Sequence, residues 1–509
     1  MTTVRVARTA DVATFNPLLY TDKGTGEVVE RLFSHLVVTD SAGQYAFGEI
    51  VAEARKTRAD GRTAYWLRLR DDAYWHDGRP VTAADVRRTL SLILDPAFGS
   101  PRRSALLDIG SELVVSADGP RAVRIEFGSA GAGIRALAWL PLIPAHRAGS
   151  YATRTAPVAG GRALVGSGEF RLGSHDPAAG TVTLQANAAH WNQPRIDVVQ
   201  VRRFADSASA LDSVLRGDSD IAPKVPPALA ALARSSPRVR VHTSSEGSCV
   251  YLGLNTLRHP LGDRAVRVAL AQAIDRRRLV EEVLAGHGLP ARTLIHPDSE
   301  WHCRDVLARE HDARAASAAL AAAGWRRSGS GTRVGPAGTA LRLSLLTAAG
   351  DDLKLATARL ISAQLAAVGV AVDVACVPIA ELLTEHVATR RYDMVMLTLS
   401  PLPSPSFLRD FYHSGGPDGG GNRFGYRNRA VDALIDSMSM AARDATDAAW
   451  QVQRLVAQDV PHVPLFHPDV IDVAASWLAL PPITGLVTNR FASLHQWDIA
   501  RADTARRLP

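Results

Sequence analysis

The segment SCVYLGLNT, residues 248–256, constrains the fold most strongly, because it lacks the alternation of a half-exposed strand. A continuous apolar run of this kind is typical of a strand that is covered on both faces. An amphipathic helix is predicted directly after it, over residues 261–284, where Val266, Leu270 and Ile274 recur on one face. A buried strand followed by such a helix indicates the α/β class.

Short strands and amphipathic helices alternate along the rest of the chain. A helix is predicted to begin at Thr82, because Asp85 occupies the third position of a capping box. Further elements are predicted as a strand at 4–7, a helix at 27–36 (Val28, Leu32 and Leu36 on one face), a strand at 65–75, two strands within 165–187, a helix at 313–323 and a buried strand at 391–399. A chain of 509 residues has room for about three domain-sized units.

The composition argues against nucleic acid and membrane as the main partners. The formal net charge is +7, but the arginines that supply it are scattered among Asp and Glu instead of forming a basic stripe. The sequence contains no run of 18 or more apolar residues, so no transmembrane segment is predicted. Three cysteines without a C-x-x-C pair match no disulfide framework, although one disulfide remains open.

Seven motifs in a fixed order resemble the ABC-transporter solute-binding proteins of family 5, which carry dipeptides, oligopeptides, opines and nickel complexes. The most specific is YWLRLRDDAYWHDGRPVTAADV at 65–86. The others are GSGEFRL with NAAHW, YLGLNT with PLGDRAVRVALAQAID, GHGLPA, AAAGW, YDM and VPLFHPDVIDVA. Within the first motif, Trp75, Asp77, Gly78 and Asp85 are expected to form a turn, a helix cap and a packed indole and not to bind ligand.

The resemblance implies a two-lobed periplasmic-binding-protein-like fold of type II with an extra N-terminal subdomain. Lobe I would comprise residues 1–245 and 471–509, with a subdomain inserted at about 40–165, and lobe II residues 246–470. Ligand would lie in the cleft between the lobes and be enclosed by hinge closure. The resemblance also implies an ABC transporter permease as partner and a monomer. No cofactor is predicted, and no metal site is predicted because the spacing of His296, Glu300, His302 and Cys303 matches no standard one.

The ligand-binding residues are predicted from the same resemblance. Peptide-binding members hold the α-ammonium with an acidic motif after the YDM strand, but this chain has Ser404-Pro405-Ser406 there and no carboxylate before Asp410. A neutral, apolar or aromatic ligand end is therefore expected instead of a simple α-amino peptide. Arg423 is predicted to bind a ligand carboxylate. The complete predicted set is Tyr20, Thr21, Trp301, Ser400, Leu402, Ser404, Phe407, Asn422, Arg423, Phe424 and Tyr426. For Trp301 two roles stay open, since an indole in an irregular segment either lines the cleft or covers the core.

A second class of function stays open at this stage. The sequence starts MTTVRVA with no signal peptide before the first strand, so the protein is expected outside the cell only if a signal segment was removed, and in the cytoplasm if Met1 is the native start. The alternative is a cytoplasmic enzyme on the same fold that condenses an aromatic amine with a carbonyl compound, as in a Pictet–Spengler cyclisation. Glu300 and His302, beside Trp301, are its candidate acid and base.

Overall fold

The fold is described from a computed structural model of the chain. It describes residues 1–39, 45–59, 62–103, 106, 113–127, 137, 140–152, 164–307, 309–329, 331–400, 407–415, 422–440, 445–481, 494 and 496–499. The chain divides into two compact units, unit 1 (1–244 with 470–509) and unit 2 (245–469). The boundaries of the predicted lobes lie one residue from these.

Unit 1 is built around a mixed sheet in which the first strand of the chain is central. Its strands are β1 (Thr3–Arg8), β2 (Val37–Thr39), β3 (Tyr45–Phe47), β4 (Val51–Ala59), β5 (Arg62–Leu69), β6 (Leu113–Ala117), β7 (Ala122–Phe127), β8 (Phe170–Asp176), β9 (Thr181–Ala186), β10 (Val198–Arg203), β11 (Ile221–Ala222), β12 (Val239–Ser245), β21 (Leu478–Ala479) and β22 (Asp498–Ile499). Its helices are α1 (Lys23–Val29), α2 (Ala83–Leu94), α3 (Ala148–Tyr151), α4 (Ser207–Arg216) and α5 (Pro227–Ala233). The order β8-β9-β10-β1-β11 forms the main sheet, with β1 parallel to β10, and β4-β5-β7-β6 form a second sheet.

Unit 2 contains the buried strand that is predicted within residues 248–256. Its strands are β13 (Cys249–Leu254), β14 (Gly288–Pro290), β15 (Arg326–Arg327), β16 (Arg333–Val334), β17 (Arg342–Ala348), β18 (Ala371–Val377) and β19 (Met394–Leu399). Its helices are α6 (Arg264–Ala273), α7 (Arg276–Val283), α8 (Ala313–Ala322), α9 (Asp352–Ala367), α10 (Ile379–Glu381), α11 (Phe407–Tyr412), α12 (Arg429–Met440) and α13 (Ala445–Asp459). The sheet order is β18-β17-β19-β13-β20, where β20 (His462–Ala475) begins in unit 2 and ends in unit 1. All six residues of β13 are buried, as predicted.

The capping box predicted at the start of α2 is confirmed. The carboxylate of Asp85 accepts hydrogen bonds from the backbone N–H of Thr82 at 2.7 Å and from the indole N–H of Trp75 at 3.2 Å. It also accepts from the backbone N–H of Ala145 at 2.6 Å. Asp77 pairs with His146 at 2.7 Å, and Gly78 has a φ of +85° in the turn. The described contacts of these motif residues are therefore those of a turn and a helix cap.

Two predicted elements end earlier than their hydrophobic pattern indicates. The helix predicted at 27–36 ends at Val29, because the carbonyls of Arg31, Leu32 and Leu36 accept from Phe170, Gly168 and Gly48 instead of from the next helical turn. Leu32 and Leu36 are nevertheless buried. The strand predicted at 65–75 ends at Leu69.

The helix predicted at 261–284 is two helices, α6 and α7. The chain is extended at Ile274, and the carboxylate of Asp275 then accepts from the backbone N–H of Arg278 at 3.1 Å, which caps the second helix. The side chain of Gln364 accepts from the backbone N–H of Asp275 at 2.9 Å. The break thus has a local cap and a tertiary contact.

Candidate functional site

The predicted ligand segment at 422–426 is fixed by the amide of Asn422. Its Nδ2 donates to the carbonyls of Tyr412 and Tyr426, and its Oδ1 accepts from the backbone N–H of Tyr426 at 3.0 Å. The side chain is buried. Both ends of the amide are therefore used inside the protein, and ligand contact by Asn422 stays a prediction.

Phe424 lies in an aromatic cluster of unit 2 and not on its surface. The exposure of its side chain is 0%, and ring centroids of Tyr251 and Phe411 lie 6.1 and 5.9 Å from its own. The ring also occupies the space beside Gly253, where an added Cβ would lie 2.9 Å from it. In this structure the ring is enclosed by the core, and stacking of Phe424 on a ligand stays a prediction.

Tyr426 is held by a partly buried hydrogen bond. Its hydroxyl donates to the carboxylate of Asp459 at 2.6 Å, and Asn428 donates to the same oxygen at 2.9 Å. Burial and the neighbouring carboxylate raise the pKa of the Tyr426 hydroxyl far above its usual value. The side chain thereby links the segment to helix α13, and the stacking role of Tyr426 stays a prediction.

Arg423, directly before Phe424 in the chain, has a partly exposed side chain. Its guanidinium carbon lies 5.8 Å from the ring centroid of Phe411, and the group also interacts with the hydroxyl of Tyr251. Among the residues that the structure describes, no carboxylate lies within 4.0 Å of this guanidinium. Asp410 is close enough for its pKa to be lowered by Arg423, although burial dominates and raises that pKa. Arg423 stays a predicted carboxylate-binding residue.

The other predicted residues of this region differ in exposure. Ser400 is exposed directly after β19, and Phe407 is buried at the start of α11. Leu402 and Ser404 lie outside the described residues. In unit 1, Thr21 is exposed, whereas the hydroxyl of Tyr20 donates to Glu30 at 2.7 Å, and the guanidinium of Arg102 lies 4.3 Å from the centroid of its ring.

The residues predicted for acid–base chemistry do not form an aromatic clamp. Trp301 is 7% exposed and packs in a hydrophobic core cluster of unit 2, so it covers the core. Nδ1 of His302 lies 2.9 Å from the carbonyl of Ile295, and burial lowers the pKa of the ring. Glu300 is exposed. The described residues include no group of three or more His, Cys, Asp or Glu side chains that could hold a metal ion.

Unit 2 also contains a cavity that the sequence analysis did not predict. The cavity, of about 660 Å³, lies against helices α11 and α13, the break between α6 and α7, and the start of β20; its walls include Ala271, Arg276, Leu294, Phe407, Ala457 and His462. We call it the unit-2 cavity. Its walls come from segments far apart in the sequence, and no local pattern identifies such a set.

Comparison with known proteins agrees with the resemblance in the sequence. Residues 47–419 match the family described as "Bacterial extracellular solute-binding proteins, family 5 Middle". The match covers most of the chain, and the chain therefore belongs to this family. Within the described residues, no helix is long and apolar enough to cross a membrane.

Two relatives align over nearly the whole chain. Protein XP55 of Streptomyces lividans is 29% identical over 474 residues, which cover 91% of this chain and 83% of the relative. The oligopeptide-binding protein AppA of Bacillus subtilis is 26% identical over 472 residues, which cover 89% of this chain and 84% of AppA. The matched family is one of binding proteins and gives no support to the cyclisation alternative.

Solved structures share the two-lobed α/β fold. AppA of Bacillus subtilis in complex with a nonapeptide superposes with a TM-score of 0.80 at 24% identity, over 98% of this chain and 99% of AppA. NikA of Brucella suis in complex with Fe(III)-EDTA superposes with a TM-score of 0.85 at 19% identity, over 98% of this chain and 100% of NikA. At this identity the likeness establishes the fold, and the predicted family-5 binding-protein fold is confirmed.

Proposed function

We propose that this protein captures a peptide-like or amino-acid-derived solute outside the cell and delivers it to the permease of an ABC importer. The family match supports capture of a solute, and the similarity to the oligopeptide-binding protein AppA supports a peptide-like one. The proposed ligand has a carboxylate at one end and an apolar or aromatic group where a simple peptide carries its α-ammonium.

The partly exposed guanidinium of Arg423 carries this proposal. It lies against the ring of Phe411, and among the described residues no carboxylate is within ion-pairing distance of it. A ligand carboxylate bound there would supply charge-assisted hydrogen bonds. Ser404 adds to the argument from the sequence, since it stands where peptide-binding members are expected to carry an acidic residue.

Calorimetry with four forms of one tripeptide, Phe-Ala-Ala, tests the proposal. The amino end is free or acetylated, and the carboxyl end is free or amidated. We expect acetylation to change the Kd by less than about threefold, because no ammonium site is required. Amidation should weaken binding by about tenfold or more, since a hydrogen bond to a charged group contributes about 1.5–3 kcal/mol.

A matched pair of variants separates the role of Arg423 from that of general charge. Arg423→Gln should remove the difference between acid and amide, whereas Arg427→Gln, at an exposed arginine four residues later, should retain it. Tighter binding of the free-amino form by tenfold, with equal binding of acid and amide, would overturn the proposed ligand chemistry. Failure of all four forms to bind would overturn the peptide-like class.

A further inference from the structure

The unit-2 cavity has the size and lining of a small-molecule site. Its volume of about 660 Å³ lies within the range of about 300–1,000 Å³ that is common for ligand pockets. Leu294, Ile295, Phe407, Leu408 and Val456 supply an apolar wall. All five side chains are buried, and all five belong to one hydrophobic core cluster. The wall is therefore a fixed part of the core.

The charged groups around this cavity favour an anion. Arg276, Arg277, Arg292, Arg309, Asp275 and Glu310 all line it. Both acids already have partners, since Asp275 caps helix α7 and Glu310 lies 3.6 Å from Arg292. Among the described residues, neither Arg276 nor Arg309 has a carboxylate within 4.0 Å. The cavity thus keeps an excess of positive charge beside its apolar wall.

Arg276 is held rigidly at this wall. Its Nε donates to the carbonyl of Pro464 at 2.7 Å and its Nη1 to the carbonyl of Arg309 at 2.8 Å. Desolvation lowers the pKa of the guanidinium to about 10, and the charge of Glu310 acts in the opposite direction, so the group remains charged at neutral pH. A guanidinium fixed by two carbonyls needs little further ordering to bind an anion.

Tyr412 and His462 form another polar feature of the lining. The tyrosine hydroxyl lies 2.6 Å from Nε2 of His462, and burial keeps the imidazole neutral. His462 and Pro464 occupy positions i and i+2 of strand β20, so their side chains share one face of the strand. The carbonyl of Pro464, which accepts from Arg276, therefore belongs to the same short stretch of β20 as His462.

We propose that the unit-2 cavity binds a second ligand, an apolar molecule with one carboxylate, whose carboxylate pairs with Arg276 and whose apolar part lies against Leu294, Phe407 and Val456. This site is separate from the carboxylate site proposed at Arg423. The protein would therefore bind a second ligand in unit 2 in addition to the solute of the proposed function.

Two acids and their neutral counterparts test the chemistry of the ligand. Octanoate and 4-phenylbutanoate represent alkyl and aryl sources of the same amphipathic anion, and octanamide and 4-phenylbutanamide are the neutral controls. Calorimetry on the full chain should give one saturable site for at least one acid. The matching amide should bind at least about tenfold more weakly, because it lacks the charge that Arg276 pairs with. The preferred acid would distinguish an alkyl from an aryl ligand.

Two variants on helix α13 test whether the acid binds inside the unit-2 cavity. Ala457 lines the cavity, so Ala457→Phe should fill it and abolish binding of the acid. Gln458 is exposed on the same helix, and Gln458→Phe should bind the acid as the wild type does. Circular dichroism and thermal unfolding of both variants verify that each is folded.

Arg276→Gln and Arg423→Gln then separate the two carboxylate sites. Arg276→Gln should weaken binding of the acid by about tenfold or more, and Arg423→Gln should leave it unchanged. Absence of saturable binding of either acid, or equal binding by wild type and Ala457→Phe, would overturn the proposal. Loss of acid binding in Arg423→Gln alone would assign the anion to the other site and would equally overturn it.

Discussion

The hydroxyl of Tyr412 lies 2.6 Å from Nε2 of His462, and both side chains are buried in unit 2. The two rings are stacked, with centroids 5.6 Å apart. Desolvation lowers the pKa of His462 from 6.5 to about 3. The folded protein therefore keeps this imidazole neutral at pH values at which an unfolded chain protonates it.

This difference in pKa predicts a contribution of His462 to acid sensitivity. Between pH 6.5 and about 3 the unfolded chain binds the extra proton, so the free energy of unfolding falls as the pH falls through this range. Tyr412→Phe and the double variant Tyr412→Phe/His462→Leu form the matched pair for urea unfolding at pH 7 and pH 4.5. The double variant should lose about 2 kcal/mol less on acidification. Equal losses in the two proteins would contradict the buried neutral state.

The contact between Tyr426 and Asp459 predicts a structural and not a ligand-binding role for this tyrosine. Tyr426→Phe removes the hydroxyl that donates to Asp459 and should lower the free energy of unfolding by about 1–2 kcal/mol. Affinity for the acid form of the tripeptide should stay within about twofold of the wild type. A large loss of affinity without a loss of stability would restore Tyr426 as a ligand-binding residue.

The close approach of Phe424 to strand β13 predicts a packing defect at Gly253. An added Cβ would lie 2.9 Å from Phe424 and 3.1 Å from Val395, so Gly253→Ala should cost about 1–3 kcal/mol of unfolding free energy. Chemical unfolding measures this free energy. The variant Phe424→Leu, which has a smaller side chain at this position, tests whether contact with Phe424 is the cause. In the Phe424→Leu background the cost of Gly253→Ala should be smaller, because the two changes share one contact. If the changes in unfolding free energy of the two substitutions are strictly additive, a clash with Phe424 is not the cause of the destabilisation.

Local signals in the sequence predicted the elements whose causes are local. The capping box at Thr82 and Asp85 and the uninterrupted apolar run of β13 each specify their own backbone, and both predictions are confirmed. The helix at 27–36 is predicted too long because backbone N–H groups of other segments, at Gly48, Gly168 and Phe170, supply partners to its carbonyls. Hydrophobic spacing still identified Leu32 and Leu36 as buried, since burial and helix formation are separate consequences of the same pattern.

The candidate site was less predictable because its geometry depends on tertiary contacts. Arg423, Phe424 and Tyr426 are close in sequence, yet the amide of Asn422 fixes a backbone in which the aromatic pair is enclosed and the arginine is partly exposed. Sequence alone does not give the direction of side chains in an irregular segment. The unit-2 cavity combines residues from positions 271 to 464, and it becomes visible only when those segments are packed together.

Helix α11 contributes to both proposed carboxylate sites. Phe407, Leu408 and Tyr412 line the unit-2 cavity, while Phe411 of the same helix lies beneath the guanidinium of Arg423. Thermodynamic reciprocity requires that any change in peptide affinity caused by an acid in the cavity equals the change in acid affinity caused by the peptide. Where the two sites are coupled in this way, the concentration of one ligand sets the apparent affinity of the protein for the other.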